Sequence, residues 1–122
     1  MANVGYLEGT DSLVLTKLAA KGVGTVPLSN GFDNHGKYIN HLVPEDHIAV
    51  VTGYLHKVLP IPERRMTPKD LLFACIIHTI PVLLIVPKSE HGAAREVLGG
   101  AADYVRLVDP ADLYQTVLEI VC

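Results

Sequence analysis

Residues 80–110, IPVLLIVPKSEHGAAREVLGGAADYVRLVDP, constrain the fold more than any other part of the chain. Residues 81–86 are a continuous apolar run. It is too short for a membrane span and has the length of a strand covered on both faces, as in a parallel sheet. A loop and a short helix follow, and Gly99-Gly100 closes the helix, as glycine does just past a helix end. Residues 104–108 give a second strand. Asp109 then caps a last helix with Pro110 at its first position.

The rest of the chain follows the same alternation. Residues 4–7 are predicted as a first strand, ended by the turn Glu8-Gly9-Thr10-Asp11. Thr10 or Asp11 caps a helix over residues 12–21, with Leu13, Leu15, Leu18 and Ala19 on its apolar side and Gly22 at its end. Residues 23–28 are a second strand and residues 29–33 a loop. Residues 34–42 are read as a helix weakened by Gly36. Residues 48–51 are a third strand ending in Thr52-Gly53. Residues 54–66 contain Pro60 and Pro62 and read as a loop with room for one helical turn. Thr67-Pro68-Lys69-Asp70 opens a helix with a capping hydroxyl, a proline and a carboxylate in sequence. That helix runs through Leu71, Leu72, Ile76 and Ile77 to Thr79 and is apolar nearly all round, so it should be buried. The last helix, residues 110–121, should bury Leu113, Val117, Leu118 and Val121.

Five strands alternating with five helices predict one α/β domain over residues 1–122, a doubly wound, five-stranded parallel sheet with helices on both faces. A hydrophobic fraction of 49% and a charged fraction of 19% exclude a disordered chain. The net charge of −3 provides no basic stripe for phosphates, so no nucleic-acid partner is expected. Lys57, Arg64, Arg65 and Lys69 fall in one region and read as a solvated loop. No stretch approaches a spanning helix and no secretory signal opens the chain, so the expectation is a soluble, cytoplasmic protein without a membrane partner. Cys75, in the run LLFACII, reads as a small core residue. A disulfide to Cys122 is not expected, which suits a reducing compartment.

PVLLIVPKSE followed by GAADYVRLVDPADL resembles the second half of a response-regulator receiver domain, and MTPKDLLFACIIHTIP resembles that family's third helix leading into its fourth strand. At motif level the resemblance covers residues 66–121. It implies a flavodoxin-like fold with strand order 2-1-3-4-5 and a functional crevice at the carboxyl ends of the strands. It also locates the family's chemistry. Two acidic residues after strand one would hold magnesium; here they are Glu8 and Gly9. The phosphoryl-accepting aspartate at the end of strand three falls on Thr52-Gly53. The hydroxyl residue after strand four falls on Val86, and the lysine after strand five on Leu107 or Val108. Aspartyl phosphorylation needs a carboxylate nucleophile, a hard-oxygen magnesium site and cationic stabilisation. The resemblance therefore implies a pseudo-receiver that does not run the phosphoryl cycle, a stand-alone signalling or protein-interaction module with no cofactor. Its protein partner, or a second copy, would use the face of helix four, strand five and helix five, with Arg95, Asp103, Tyr104, Arg106 and Asp112. Tyr104 reads either as a partner contact or as a half-buried strand tyrosine.

A rival reading places a small molecule or a phosphate-bearing ligand, with enzymatic chemistry left open, in the crevice between strands one and three. Its candidates are Glu8, Gly9, Thr10, Thr52, Gly53, Lys88 and Ser89. Glycine at both strand ends would let a ligand approach backbone N–H groups, or would only serve tight turns. The first helix adds a positive N-terminus. Lys88 would reach across as a cation, and Ser89 would cap the fourth helix. Ser29, Asp33 and His35 supply the residue types of a hydrolase but no strained elbow, so they read as a turn and cap. The histidines at 35, 41, 47, 56, 78 and 91 show no ligand spacing, and no metal site is expected.

Overall fold

The computed structural model describes residues 2–59 and 66–121. Six strands form one all-parallel sheet: β1 (Asn3–Leu7), β2 (Gly24–Ser29), β3 (Lys37–Tyr38), β4 (Ile48–Tyr54), β5 (Val82–Ile85) and β6 (Val105–Val108). Their order is β3-β2-β1-β4-β5-β6. The helices are α1 (Ser12–Ala20), α2 (Pro68–Leu71), α3 (Phe73–Ile77), α4 (His91–Leu98) and α5 (Leu113–Val121).

The expected five-stranded sheet is thereby corrected to six strands, with β3 added at one edge. The helix expected over residues 34–42 is absent. Gly36 has a φ of +76°, and a Cβ there would meet the Pro27 carbonyl oxygen at 2.2 Å. Only a glycine lets the chain pass this close to β2. Lys37 and Tyr38 then pair with Leu28 and Ser29. A 3-10 turn, Ile39–His41, follows and buries Ile39.

Alternation along the strands supplies both faces of the sheet. Leu7, Leu28, Val51, Val82 and Leu84 pack with Leu71, Ala74, Cys75 and Leu98 of α2, α3 and α4. Val4, Val50, Leu83, Ile85 and Val108 pack with Val14, Leu18, Leu113 and Val117 of α1 and α5. A one-residue shift in β4 interrupts the alternation: Asn3 pairs with Ile48, but Val4 pairs with Val50. Ala49 is the extra residue of this bulge.

The caps are built as their residue types dictate. Thr67 Oγ1 accepts from Asp70 N at 3.1 Å and Asp70 Oδ2 accepts from Thr67 N at 3.0 Å, a reciprocal capping box. Asp109 accepts from Ala111 N at 3.0 Å, ahead of a 3-10 turn, Pro110–Asp112, that leads into α5. Gly99, with a φ of +56°, ends α4.

Four further expectations are corrected. The helix beginning at Thr67 breaks at Leu72 into α2 and α3. Its burial is one-sided, since Phe73 and Ile77 are 57% and 56% exposed. In α1 the buried stripe is Val14 and Leu18, while Leu13 faces solvent. Ser89 does not cap α4, because a 3-10 turn, Lys88–Glu90, precedes the helix and Glu90 holds the cap position. The expectations for Pro60, Pro62, Arg64, Arg65 and Cys122 lie outside the described residues. Among the described residues, no helix is long and apolar enough to cross a membrane.

Candidate functional site

The sheet order places the topological switch point between β1 and β4, where chain connections depart to opposite sides. Three loops meet there. After β1, Gly9 adopts a φ of +88°, which turns the chain toward α1. Thr10 is buried and its hydroxyl donates to the Leu7 carbonyl at 2.8 Å. Asp11 accepts from Leu13 N at 2.9 Å and is the α1 cap.

After β2, the loop is folded on its own side chains. Asn30 Oδ1 accepts from Phe32 N at 2.9 Å and from Asp33 N at 3.0 Å. Ser29 Oγ accepts from Gly31 N and donates to the Asp33 carbonyl. These are local side-chain turns of the kind that Asn and Ser favour. After β4, a 3-10 turn, Leu55–Lys57, brings Lys57 back over the edge. The two loops are tied by Asn30 Nδ2, which donates to the Lys57 carbonyl at 2.8 Å.

Lys57 closes the switch-point crevice. Its Nζ donates to Asp33 Oδ2 at 3.1 Å and stands 4.0 Å from Glu8 Oε1. The side chain is only 17% exposed. A Cβ on Gly9 would lie 3.9 Å from Lys57 Cε, so the lysine stem runs alongside the turn. Lys57, read from sequence as part of a solvated loop, is therefore the central cation of the candidate site. No sequence signal pairs it with Asp33, because the pairing depends on loops that only the sheet brings together.

Thr52 and Gly53 do not end a strand, since β4 continues to Tyr54. Thr52 pairs between Tyr6 and Leu83 and is 1% exposed. Its Oγ1 has no hydrogen-bond partner among the described residues. A Cβ at Gly53 would stand 2.8 Å from Leu7 Cδ1, so the neighbouring strand explains this glycine. Ser29, Asp33 and His35 do not converge. Ser29 serves its own loop, Asp33 holds Lys57, and His35 Nδ1 lies 3.0 Å from the Leu28 carbonyl, its ring edge-on to Tyr6.

Lys88 follows β5 and lies on the β6 side of the sheet. Its backbone N–H donates to Asp109 Oδ1 at 2.9 Å. It shares a cavity of about 110 Å³ with His91, Arg106, Asp109, Asp112 and Thr116. Backbone donation from Lys88 and Ala111, with the charges of His91 and Lys88, holds the Asp109 carboxyl below the usual range. Lys88 thus joins Arg106 and Asp112 on the β6 side. Ser89 is exposed in the turn between β5 and α4, and Arg95 is exposed on α4. Asp103 and Tyr104 lie at the other end of β6.

Tyr104 precedes β6 and is 45% exposed, with Lys69 Nζ 5.3 Å from its ring centroid. Val86 N donates to the Val108 carbonyl, which sets Val86 level with the far end of β6. Four residues of strand, about 13 Å, separate that level from Tyr104. Val86 is buried, Val108 is buried and Leu107 is half-buried, so none of them offers a polar group at the edge. Among the described residues no group of three or more His, Cys, Asp or Glu is placed to hold a metal ion.

A cavity of about 410 Å³ opens beside the Lys57 clasp, lined by Asn30, Gly31, Phe32, Tyr38 and Met66. Comparison with protein-family models, curated proteins and solved structures finds no match to this chain. The geometry alone therefore defines an α/β, all-parallel-sheet protein with a cation-filled switch point.

Proposed function

We propose that the chain is a receiver-like binding module that acts through a protein partner and takes up no phosphoryl group. One observation carries this reading. At the switch point, where a phosphoryl-transfer site would need an accessible nucleophile, Lys57 is clasped between Asp33 and Glu8, and Thr52 is buried below. The partner surface is the side formed by α4, β6 and α5. Arg95, Arg106 and Asp112 are exposed there, with Asp103 and Tyr104 at its lower end. β6 is an edge strand, so its outward backbone groups add to that surface. A second copy of the chain is one form the partner can take. A free, buried Cys75 thiol suits a reducing cytoplasm.

The experiment pairs two charge reversals with a phosphorylation assay. A partner captured by the parent should be lost with Arg106→Glu or Asp112→Lys and retained with Lys57→Met. Light scattering reads the same variants if the partner is a second copy. Incubation with a small phosphodonor and Mg²⁺ should leave the mass unchanged. A stoichiometric acid-labile phosphate on this chain sinks the reading.

A second reading, a small-molecule site at the carboxyl edge, is favoured by the 410 Å³ cavity beside the clasp. Its test is a melting-temperature screen with nucleotides, flavins and sugar phosphates. A ligand at 100 times its Kd stabilises by about 2.7 kcal/mol. No shift with any of them removes this reading.

A further inference from the structure

We propose that the cavity beside the Lys57 clasp takes an uncharged, planar heteroaromatic ring of nucleobase or indole size. The inference rests on the second reading above and gives it a place and a chemistry. At about 410 Å³ the space falls within the size range of small-molecule pockets, roughly 300–1,000 Å³. Phe32, Tyr38 and Met66 supply two aromatic rings and a thioether to its lining. Such groups favour stacked or edge-on contact with a flat ring.

Gly31 shapes the wall. Its φ of +91° and the 3.0 Å from its would-be Cβ to Tyr38 Cε1 show that bare backbone is needed for the Tyr38 ring to lie here. Among the described residues the lining carries no charge. Beside it, Asp33 and Lys57 neutralise each other at 3.1 Å. A charged ligand would lose its hydration without a counter-charge. Asn30 is largely committed as well, since its oxygen accepts twice and its nitrogen donates one of its two hydrogens to the Lys57 carbonyl. The Tyr38 hydroxyl is the polar handle. It accepts from Asn40 Nδ2 at 3.4 Å and donates no hydrogen bond among the described residues. A ring nitrogen with a lone pair is a fitting acceptor for that proton.

The test compares benzimidazole, which has such a nitrogen, with indole, which lacks it, by amide NMR titration of the full chain near neutral pH. Both should give saturable shifts at the Gly31, Phe32 and Tyr38 amides, with benzimidazole about fivefold tighter. Tyr38→Phe should abolish that difference while leaving indole unchanged. Phe32→Leu should weaken both by up to about tenfold, with an otherwise preserved spectrum showing that the variant folds. Cyclohexanol, similar in polarity but not flat, should bind at least several-fold more weakly than indole. The proposal is overturned if neither ring shifts these amides, or if cyclohexanol matches indole. A ligand that raises the melting temperature but shifts amides elsewhere keeps the second reading and overturns this site.

Discussion

Lys57 and Asp33 lie 24 residues apart in the chain and meet at 3.1 Å over the carboxyl edge of β1, with Glu8 at 4.0 Å from the same ammonium. One cation thus joins the loops that follow β1, β2 and β4. Both partners are mostly covered, so the pair is less screened than a fully exposed one, though not desolvated as a buried pair would be.

Replacing Lys57 by Met leaves Asp33 and Glu8 without their shared counter-charge. The expected loss of stability is about 1 kcal/mol in denaturant melts. A double-mutant cycle with Asp33→Asn should give a coupling of about 0.5–1 kcal/mol that shrinks in 1 M salt. A coupling indifferent to salt would assign the contact to packing instead of charge.

Gly53→Ala drives a methyl group into Leu7 of the neighbouring strand, where the closest atom is 2.8 Å away. Overpacking of this kind costs about 1–3 kcal/mol. Adding Leu7→Ala removes Cδ1 and Cγ but leaves a Cβ at 2.9 Å, so it should recover only part of that increment relative to Leu7→Ala alone. Equal stability of Gly53→Ala and the parent would refute the packing role of this glycine.

Acid should weaken three local structures together. The Asp46 carboxyl is held below its usual pKa of 3.8 by the Lys37 side chain and Val43 N–H, and Asp70 by the Thr67 N–H and hydroxyl. Asp109 is held down by Lys88 N–H and Ala111 N–H. A carboxyl group whose folded pKa is depressed stabilises above its unfolded value and loses that contribution as pH falls through the folded one. The cost of Asp109→Asn, read from urea melts, should therefore be smaller at pH 3 than at pH 7. A cost independent of pH would mean that the carboxylate's charge plays no part in the cap.

Burial pushes the Cys75 thiol up to about 12, so it stays protonated and inert near neutrality. In a Cys122→Ser background, iodoacetamide should leave Cys75 unmodified in the folded protein and alkylate it in denaturant. The sign also fixes an alkaline effect. An unfolded thiol ionises near 9, so this group's contribution to stability is lost as pH rises above that value. Rapid alkylation of the native chain would contradict the burial.

Much of the fold is legible where the information is local. The Thr67 capping box, the Asp109 cap and the glycine end of α4 each depend on residues within four positions, and each forms. The apolar run over residues 81–86 holds a shorter buried parallel strand, Val82–Ile85, with no polar side chain to interrupt it. The edge strand β3 is hidden for the opposite reason. Its enabling contact is Gly36 against the Pro27 carbonyl, a tertiary approach that competes with helix propensity and wins. The position of Thr52 is misread because β4 runs three residues past Val51, and a threonine-glycine pair suits a strand interior as well as a turn. The clasp itself escapes a linear reading, since opposite charges 24 residues apart are common and only the sheet order selects this pair.

The bulge at Ala49 has a consequence at the far end of its strand. Side-chain direction in a strand is a matter of odd and even counting, and one additional residue reverses the count for everything downstream. Thr52 reaches the α1 side and Gly53 the Leu7 side because Ala49 is left out of the pairing with β1. Were Ala49 instead paired in regular alternation after Ile48, Thr52 would be turned toward the Leu7 side and Gly53 toward α1. The facing of the side chains at the carboxyl edge is thus set near the amino edge of the same strand, by an alanine that the ladder skips.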